Sequence, residues 1–270
     1  SLSGRPLVMG ILNVTPDSLF DGGRYGCEDK AVSHARQMAQ AGADIIDVGG
    51  ESSRPGAQPV SVEEEKKRVL PVIRKLAGTL DIPISIDTCK SQIAAAAVEQ
   101  GASLINDISG LAFDEKTAQV SAQTGAGLII MHMKGTPRTM QKNPRYDDLV
   151  TDIYVSLARS IEKALSAGVQ PEQIVIDPGI GFGKRKSDNF QLIGRLREFT
   201  SLGYPLMTGV SRKSFLGWAL DIPEEERLAG SISAHVLSML NGASILRTHD
   251  VKETREAVEI AARTEKVIWI

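Results

Sequence analysis

Eight short apolar blocks punctuate the chain, and the segments between them place apolar residues with helical period. The blocks are LVMGILNV, IIDVGGE, ISID, LINDI, LIIMHM, IVIDPG, LMTGVSRK and ILRTHD. Each is unbroken rather than alternating, as strands of a parallel sheet are when both faces are buried. The intervening stretches 28–43, 61–78, 90–102 and 148–168 read as helices; in the last, Val150, Ile153, Leu157, Ile161 and Leu165 share one face. An internal echo marks the joints, since AGADIIDV, QGASLIND, TGAGLIIM and NGASILRT each set Gly-Ala before an apolar block. Glycine suits a helix C-terminus where the backbone turns to positive φ, so each echo is one helix stop followed by one strand start. Eight such βα units over residues 1–270 predict a single-domain (β/α)8 TIM barrel, with an open doubly wound sheet as the fallback.

Charge and composition narrow the partners. The 33 acidic and 31 basic residues nearly cancel, which points away from nucleic acid or an anionic membrane and toward a small-molecule substrate. Cys27 and Cys89 lie far apart without metal spacing, as reduced thiols of a cytoplasmic protein would. No apolar run approaches the roughly 20 residues that span a bilayer, and the N-terminus lacks a signal-peptide core; a soluble protein is expected.

Nearly all the blocks end on a residue that can bind, carry charge or coordinate, and in barrels the C-terminal strand ends hold the active site. The longest irregular stretches, 15–27, 51–60, 134–147 and 179–187, all follow strands. Asn13 opens a loop in which Asp17, Asp21 and Gly22-Gly23 suit a mobile turn or a lid. In DVGGESSRPGA, paired glycines let backbone approach a ligand, while Ser52, Ser53 and Arg54 offer hydroxyls and a guanidinium fork for phosphate; the plainer alternative is a surface arginine in a proline turn. Asp87, Asn106 and Asp177 follow Ile86, Ile105 and Ile176. Carboxylates beside buried strand residues are costly unless partnered, so such groups around one mouth suit a planar heterocycle with N–H donors and ring-nitrogen acceptors, since Asp accepts and Asn both donates and accepts, with a divalent metal as the competing use. Asp87 could also cap the following helix. GIGFGKRKSDN mixes glycines and basic residues like a phosphate cradle but lacks P-loop spacing, and Phe182 within it is either a ring-stacking group or a loop anchor. Ser211, Arg212 and Lys213 after the seventh block, with Arg247 and His249 at the eighth, fit the phosphate position common in barrels. His132 lacks an evident partner and reads as structural; His34 and His235 read as surface or packing residues.

Taken in order, MGILNVTPDS, DVGGESSRPGA, SIDT, INDISG, MHMKGTP, DPGIGFGK, GVSRKS and LRTHDV resemble the dihydropteroate synthase family, the pterin-binding enzymes of folate biosynthesis, over nearly the whole chain. The resemblance implies a transferase that joins p-aminobenzoate to 6-hydroxymethyl-7,8-dihydropterin diphosphate, yielding 7,8-dihydropteroate and diphosphate. It places the pterin on Asp87, Asn106, Asp177 and Lys213, with Ile108 and Met131 as apolar walls. It places the diphosphate on Asn13, Arg247 and His249, with Ser53 nearby and Arg54 in the second loop, and it makes Asn13 the Mg²⁺ ligand. p-Aminobenzoate would lie between Phe182, Pro55, Lys213 and Ser211. Charge development then implies a dissociative, SN1-like displacement, with Asp177 and Asp21 stabilising the pterin cation; Lys213 and Arg54 complete the catalytic set. A homodimer and affinity for sulfonamides, which mimic p-aminobenzoate, are further implications. One departure stands in the first loop, which reads DSLFD where the family commonly reads DSFSD, moving the aromatic ring from position 19 to Phe20. The competing readings are a pterin-binding methyltransferase, a Schiff-base aldolase using Lys213, and a pterin binder without catalysis.

Overall fold

The apolar blocks pair as eight parallel strands in a computed structural model whose described residues are 5–15 and 23–268, side chains at 23–27 and 265–268 excepted. The strands are β1 (Leu7–Asn13), β2 (Ile45–Gly49), β3 (Ile84–Asp87), β4 (Leu104–Asp107), β5 (Gly127–Met131), β6 (Ile174–Asp177), β7 (Met207–Thr208) and β8 (Ile245–Thr248). Their order runs β6-β5-β4-β3-β2-β1-β8-β7, and one parallel bridge between Ile176 and Leu206 joins the two ends. The expected (β/α)8 barrel is therefore present, closed by a seam between β6 and β7.

Helices follow the strands: α1 (Gly23–Gln40), α2 (Val62–Ala77), α3 (Ser91–Glu99), α4 (Lys116–Thr124), α5 (Leu149–Ser166), α6 (Lys186–Gly194), α7 (Ser214–Leu220), α8 (Leu228–Leu240) and α9 (Val251–Ile268). Both α7 and α8 lie between β7 and β8, one helix more than a plain repeat needs. Local chemistry sets the ends. Ser61 caps α2 by accepting from Glu64 N at 3.2 Å, and Asp148 caps α5 by accepting from Thr151 N at 2.8 Å. On α5, Val150, Ile153, Leu157 and Ile161 are buried as the period requires, whereas Leu165, near the helix end, is exposed. The Gly-Ala echoes are helix stops: Gly42, Gly101, Gly125 and Gly242 all have positive φ, and the alanine after each is buried. At Ala43, Ala102 and Ala243 the N–H bonds the carbonyl five residues back, the hydrogen bond that closes a helix C-terminus.

The strands look uniformly apolar because both their faces are covered. Alternate residues go to different places. Val8, Ile46, Ile86, Ile105, Leu128 and Ile176 face the helices in the larger core, while Met9, Ile45, Ile129, Met207 and Ile245 form a separate plug inside the barrel. One inward step further along, at the C-terminal end, the interior turns polar. Among the described residues no helix is long and apolar enough to cross a membrane.

Candidate active site

The polar layer follows from strand register. Gly49 of β2 pairs with Asp87 of β3, Asp87 with Asn106 of β4, and Met131 of β5 with Asp177 of β6. Arg247 of β8 reaches across the barrel: its Nε donates to Asp47 Oδ2 at 2.6 Å and its Nη2 to Asp87 Oδ2 at 2.7 Å. Asn106 Nδ2 donates to the same Asp47 oxygen at 3.0 Å. Asp47 Oδ1 and Asn106 Oδ1 remain buried without hydrogen-bond partners. Burial pushes the Asp87 carboxyl up to about 7; Arg247 pulls it back and Asp47 pushes it further. Sequence reasoning connected Asp87, Asn106 and Asp177 but assigned no role to Asp47, although Asp47 stands at an inward position of β2, two residues after Ile45.

On the opposite wall, burial also raises Asp177, against the pull of Lys213 and a hydrogen bond of 2.7 Å from Gly179 N to its Oδ1. Lys213 is its counterpart: burial lowers the ammonium to about 7 while Asp177 works to raise it. Lys213 Nζ also donates to Ile180 O and sits 4.4 Å from the Phe182 ring centroid, so Phe182 is its cation–π partner. Ile108 and Met131 are buried and apolar.

The glycine-rich segment after β6 is packed closely on the fifth loop and on Lys213. Gly179 and Gly181 have positive φ, and a Cβ at Gly179 would collide with the His132 carbonyl oxygen, at Gly181 with the Lys213 side chain. Lys184 turns inward and is buried. Its Nζ meets His132 Nδ1 at 2.8 Å, Pro178 O at 2.7 Å and His132 O at 3.1 Å. Burial holds this amine well below the ordinary lysine range and takes His132 down to about 2, and the contact between them ties the fifth loop to the sixth. The basic character of the segment hid this partner of His132 in the sequence. His235 is buried with neither ring nitrogen bonded, and His34 is exposed.

Ser211, Arg212 and Lys213 separate into three directions. Arg212 takes positive φ and points to Asp250, with Nε 3.0 Å from Oδ2, while Lys213 enters the site. Ser211 Oγ lies 3.0 Å from His249 Nδ1 and accepts from His249 N at 3.2 Å. Burial, then Arg247, lowers His249 to about 4. Arg54 is mostly exposed and pairs with Glu224 at 2.9 Å, close enough for its charge to reach His249. Pro55 is exposed. Ser53 lines a cavity of about 430 Å³ with Asp87, Ile108, Glu51 and Lys90. Lys90 bridges Glu51 at the root of the second loop to buried Glu65 of α2, a link the sequence reading missed. Asn13 ends β1 with its Oδ1 turned toward Gly49. Asp17, Asp21, Leu19 and Phe20 lie outside the described residues. Cys89 is a free thiol that burial pushes up.

Buried carboxylates, an amide and a guanidinium gather at the mouth, with a lysine and an aromatic ring beside them, a donor and acceptor set chemically suited to planar, nitrogen-rich rings. The model for pterin binding enzymes matches residues 9–249. Dihydropteroate synthase of Escherichia coli K12 is 46% identical over 260 residues, covering 96% of this chain and 92% of that protein. Yersinia pestis dihydropteroate synthase, solved with a sulfonamide drug complex, superposes with a TM-score of 0.93 at 45% identity, covering 98% of this chain and 96% of the other. The Xanthomonas albilineans dihydropteroate synthase solved with 4-aminobenzoic acid gives 0.92 at 42% identity, covering 98% and 94%. The chain is an enzyme and belongs to the pterin-binding enzyme family, among its dihydropteroate synthases.

Proposed function

We propose that the protein condenses p-aminobenzoate with 6-hydroxymethyl-7,8-dihydropterin diphosphate by a dissociative displacement. The observation that carries this reading is the cross-barrel set of Asp47, Asp87, Asn106 and Arg247 facing Asp177 and Lys213. Asp87, Asn106 and Asp177 accept the N–H donors of the pterin edge, and Ile108 and Met131 cover its faces. As the bond from the pterin methylene to diphosphate breaks, negative charge grows on the leaving group and positive charge on a carbon conjugated to the ring. Arg247, His249 and Arg54 surround the former, and the Asp177 carboxylate stabilises the latter; Asp21 of the first loop is assigned the same task. p-Aminobenzoate, nucleophilic while neutral, enters beside Phe182 and Lys213 with its carboxylate toward Ser211, once Ser53, Arg54 and Pro55 close over it.

Asn13 is the proposed Mg²⁺ ligand. Among the described residues no three His, Cys, Asp or Glu form a metal cage, but a single amide oxygen suits Mg²⁺, which keeps waters and substrate phosphates as its other ligands. When bound there, the ion would neutralise charge on the diphosphate. A homodimer is proposed through the groove lined by Leu228, Ile232, Val236, Leu240, Ala257 and Ile260 on α8 and α9, an exposed apolar surface suited to a second copy. A cytoplasmic location is proposed from the free Cys89 thiol.

The test supplies the pterin diphosphate, Mg²⁺ and p-aminobenzoate and follows diphosphate release. Release that does not depend on p-aminobenzoate would sink the assignment. A sulfonamide should inhibit competitively with p-aminobenzoate; inhibition unaffected by its concentration would place the drug elsewhere.

A further inference from the structure

Asp47 has no exposed side-chain surface, and one of its oxygens serves two other strands. Oδ2 accepts from Asn106 Nδ2 of β4 at 3.0 Å and from Arg247 Nε of β8 at 2.6 Å, while Oδ1 is buried without a partner. A carboxylate so enclosed is costly, which calls for a reason beyond packing. Arg247 is itself shared, since its Nη2 holds Asp87 Oδ2 at 2.7 Å. Asp87 is the outer of the two carboxylates, with 13% of its side chain exposed against none for Asp47. Arg247 thus occupies Oδ2 of Asp87, the carboxylate at the mouth where a ring donor would arrive. Displacing Nη2 from Asp87 would strand a buried cation if Arg247 had no second partner, a far larger penalty than exchanging one partner for another.

We propose that Asp47 is a positioning residue for pterin binding: it keeps Arg247 paired while the pterin takes over Asp87. The same oxygen also sets the polarity of Asn106. With Nδ2 committed to Asp47, the unpartnered Oδ1 of Asn106 is left as its accepting atom, so Asn106 reads a ring N–H rather than a ring acceptor. Asp47 thus shapes what Asp87 and Asn106 can recognise without touching the ligand. The inference rests on the pterin reading of the site.

Calorimetry with 6-hydroxymethylpterin, which lacks the diphosphate, tests it on the native protein, Asp47→Asn, Arg247→Met and the double variant. The Asp47→Asn change keeps one acceptor oxygen for Asn106 and loses the charge that holds Arg247. It should weaken pterin binding by roughly tenfold or more, the scale of one charge-assisted hydrogen bond. In the Arg247→Met background it should change affinity less than about twofold, because the two residues act as a unit. Equal losses in both backgrounds, or no loss in the native one, would reduce Asp47 to a structural residue and overturn the proposal alone. A native protein that binds no pterin would overturn the reading of the site together with the proposal. A second measurement needs no variant: the Arg247 Nε–H proton, followed by NMR, should stay protected from solvent exchange with and without pterin. Loss of that protection on saturation would show Arg247 leaving Asp47 and reject the exchange.

Discussion

Asp87 is required to be a charged acceptor in a place that disfavours charge, and that conflict can be measured. Burial holds its carboxyl at about 7, above the ordinary 3.8. The folded state then binds this proton more tightly than the unfolded chain, so the contribution to stability is full below about 3.8 and is lost as pH rises through 7. Asp87→Asn removes the loss. The melting temperature of the variant relative to the native protein should therefore climb between pH 5 and pH 8, by on the order of 5 °C; a difference that is flat with pH would reject the burial argument. Asp177→Asn tests the other wall. It should weaken pterin binding by about 10- to 100-fold, as loss of a charged hydrogen bond does, and an unchanged Kd would refute the role assigned to it.

At the scale of elements, the loops differ in how firmly they are held. The segment after β6 is fixed by Lys184, His132 and its glycines, and Gly179→Ala should destabilise the protein by about 2–3 kcal/mol or more in urea unfolding. The second loop is held at its lip by the Arg54–Glu224 pair, both partners substantially exposed, and such pairs contribute little. Its position is therefore cheap to alter. Arg54→Ala should lower kcat at least about tenfold with pterin affinity little changed, and p-aminobenzoate should bind poorly by calorimetry until diphosphate is present. Equal affinity with and without diphosphate would reject an ordered closure. The same contrast explains what the sequence revealed. Strands and helix stops were legible because an apolar block and a Gly-Ala joint are local signals. Asp87, Asn106 and Asp177 were legible because each interrupts an apolar run. Asp47 interrupts an apolar run as well, but its task was not legible, since that lies with Arg247, 200 residues away. Lys184 was hidden among glycines and cations that mimic a phosphate loop, and the meeting of Arg54 with Glu224, 170 residues apart, has no local signature.

For the whole molecule, the barrel separates two jobs along its axis. Strand faces turned to the helices and the inner plug of Met9, Ile45, Ile129, Met207 and Ile245 hold the fold, and the next inward layer holds the chemistry. If α8 and α9 pair with a second copy, Ile260→Lys should shift the protein to monomer in analytical ultracentrifugation while leaving pterin affinity intact; an unshifted sedimentation coefficient would reject that face. The seam between β6 and β7, joined at Ile176 and Leu206, has a further consequence. The strand on one side ends in Asp177, and the chain on the other leads directly to Lys213, so a ligand held by both groups spans the barrel's narrowest join. Native-state amide exchange should therefore slow at this join on pterin binding more than at the well-paired strands opposite, making the occupied active site the rivet of its own barrel.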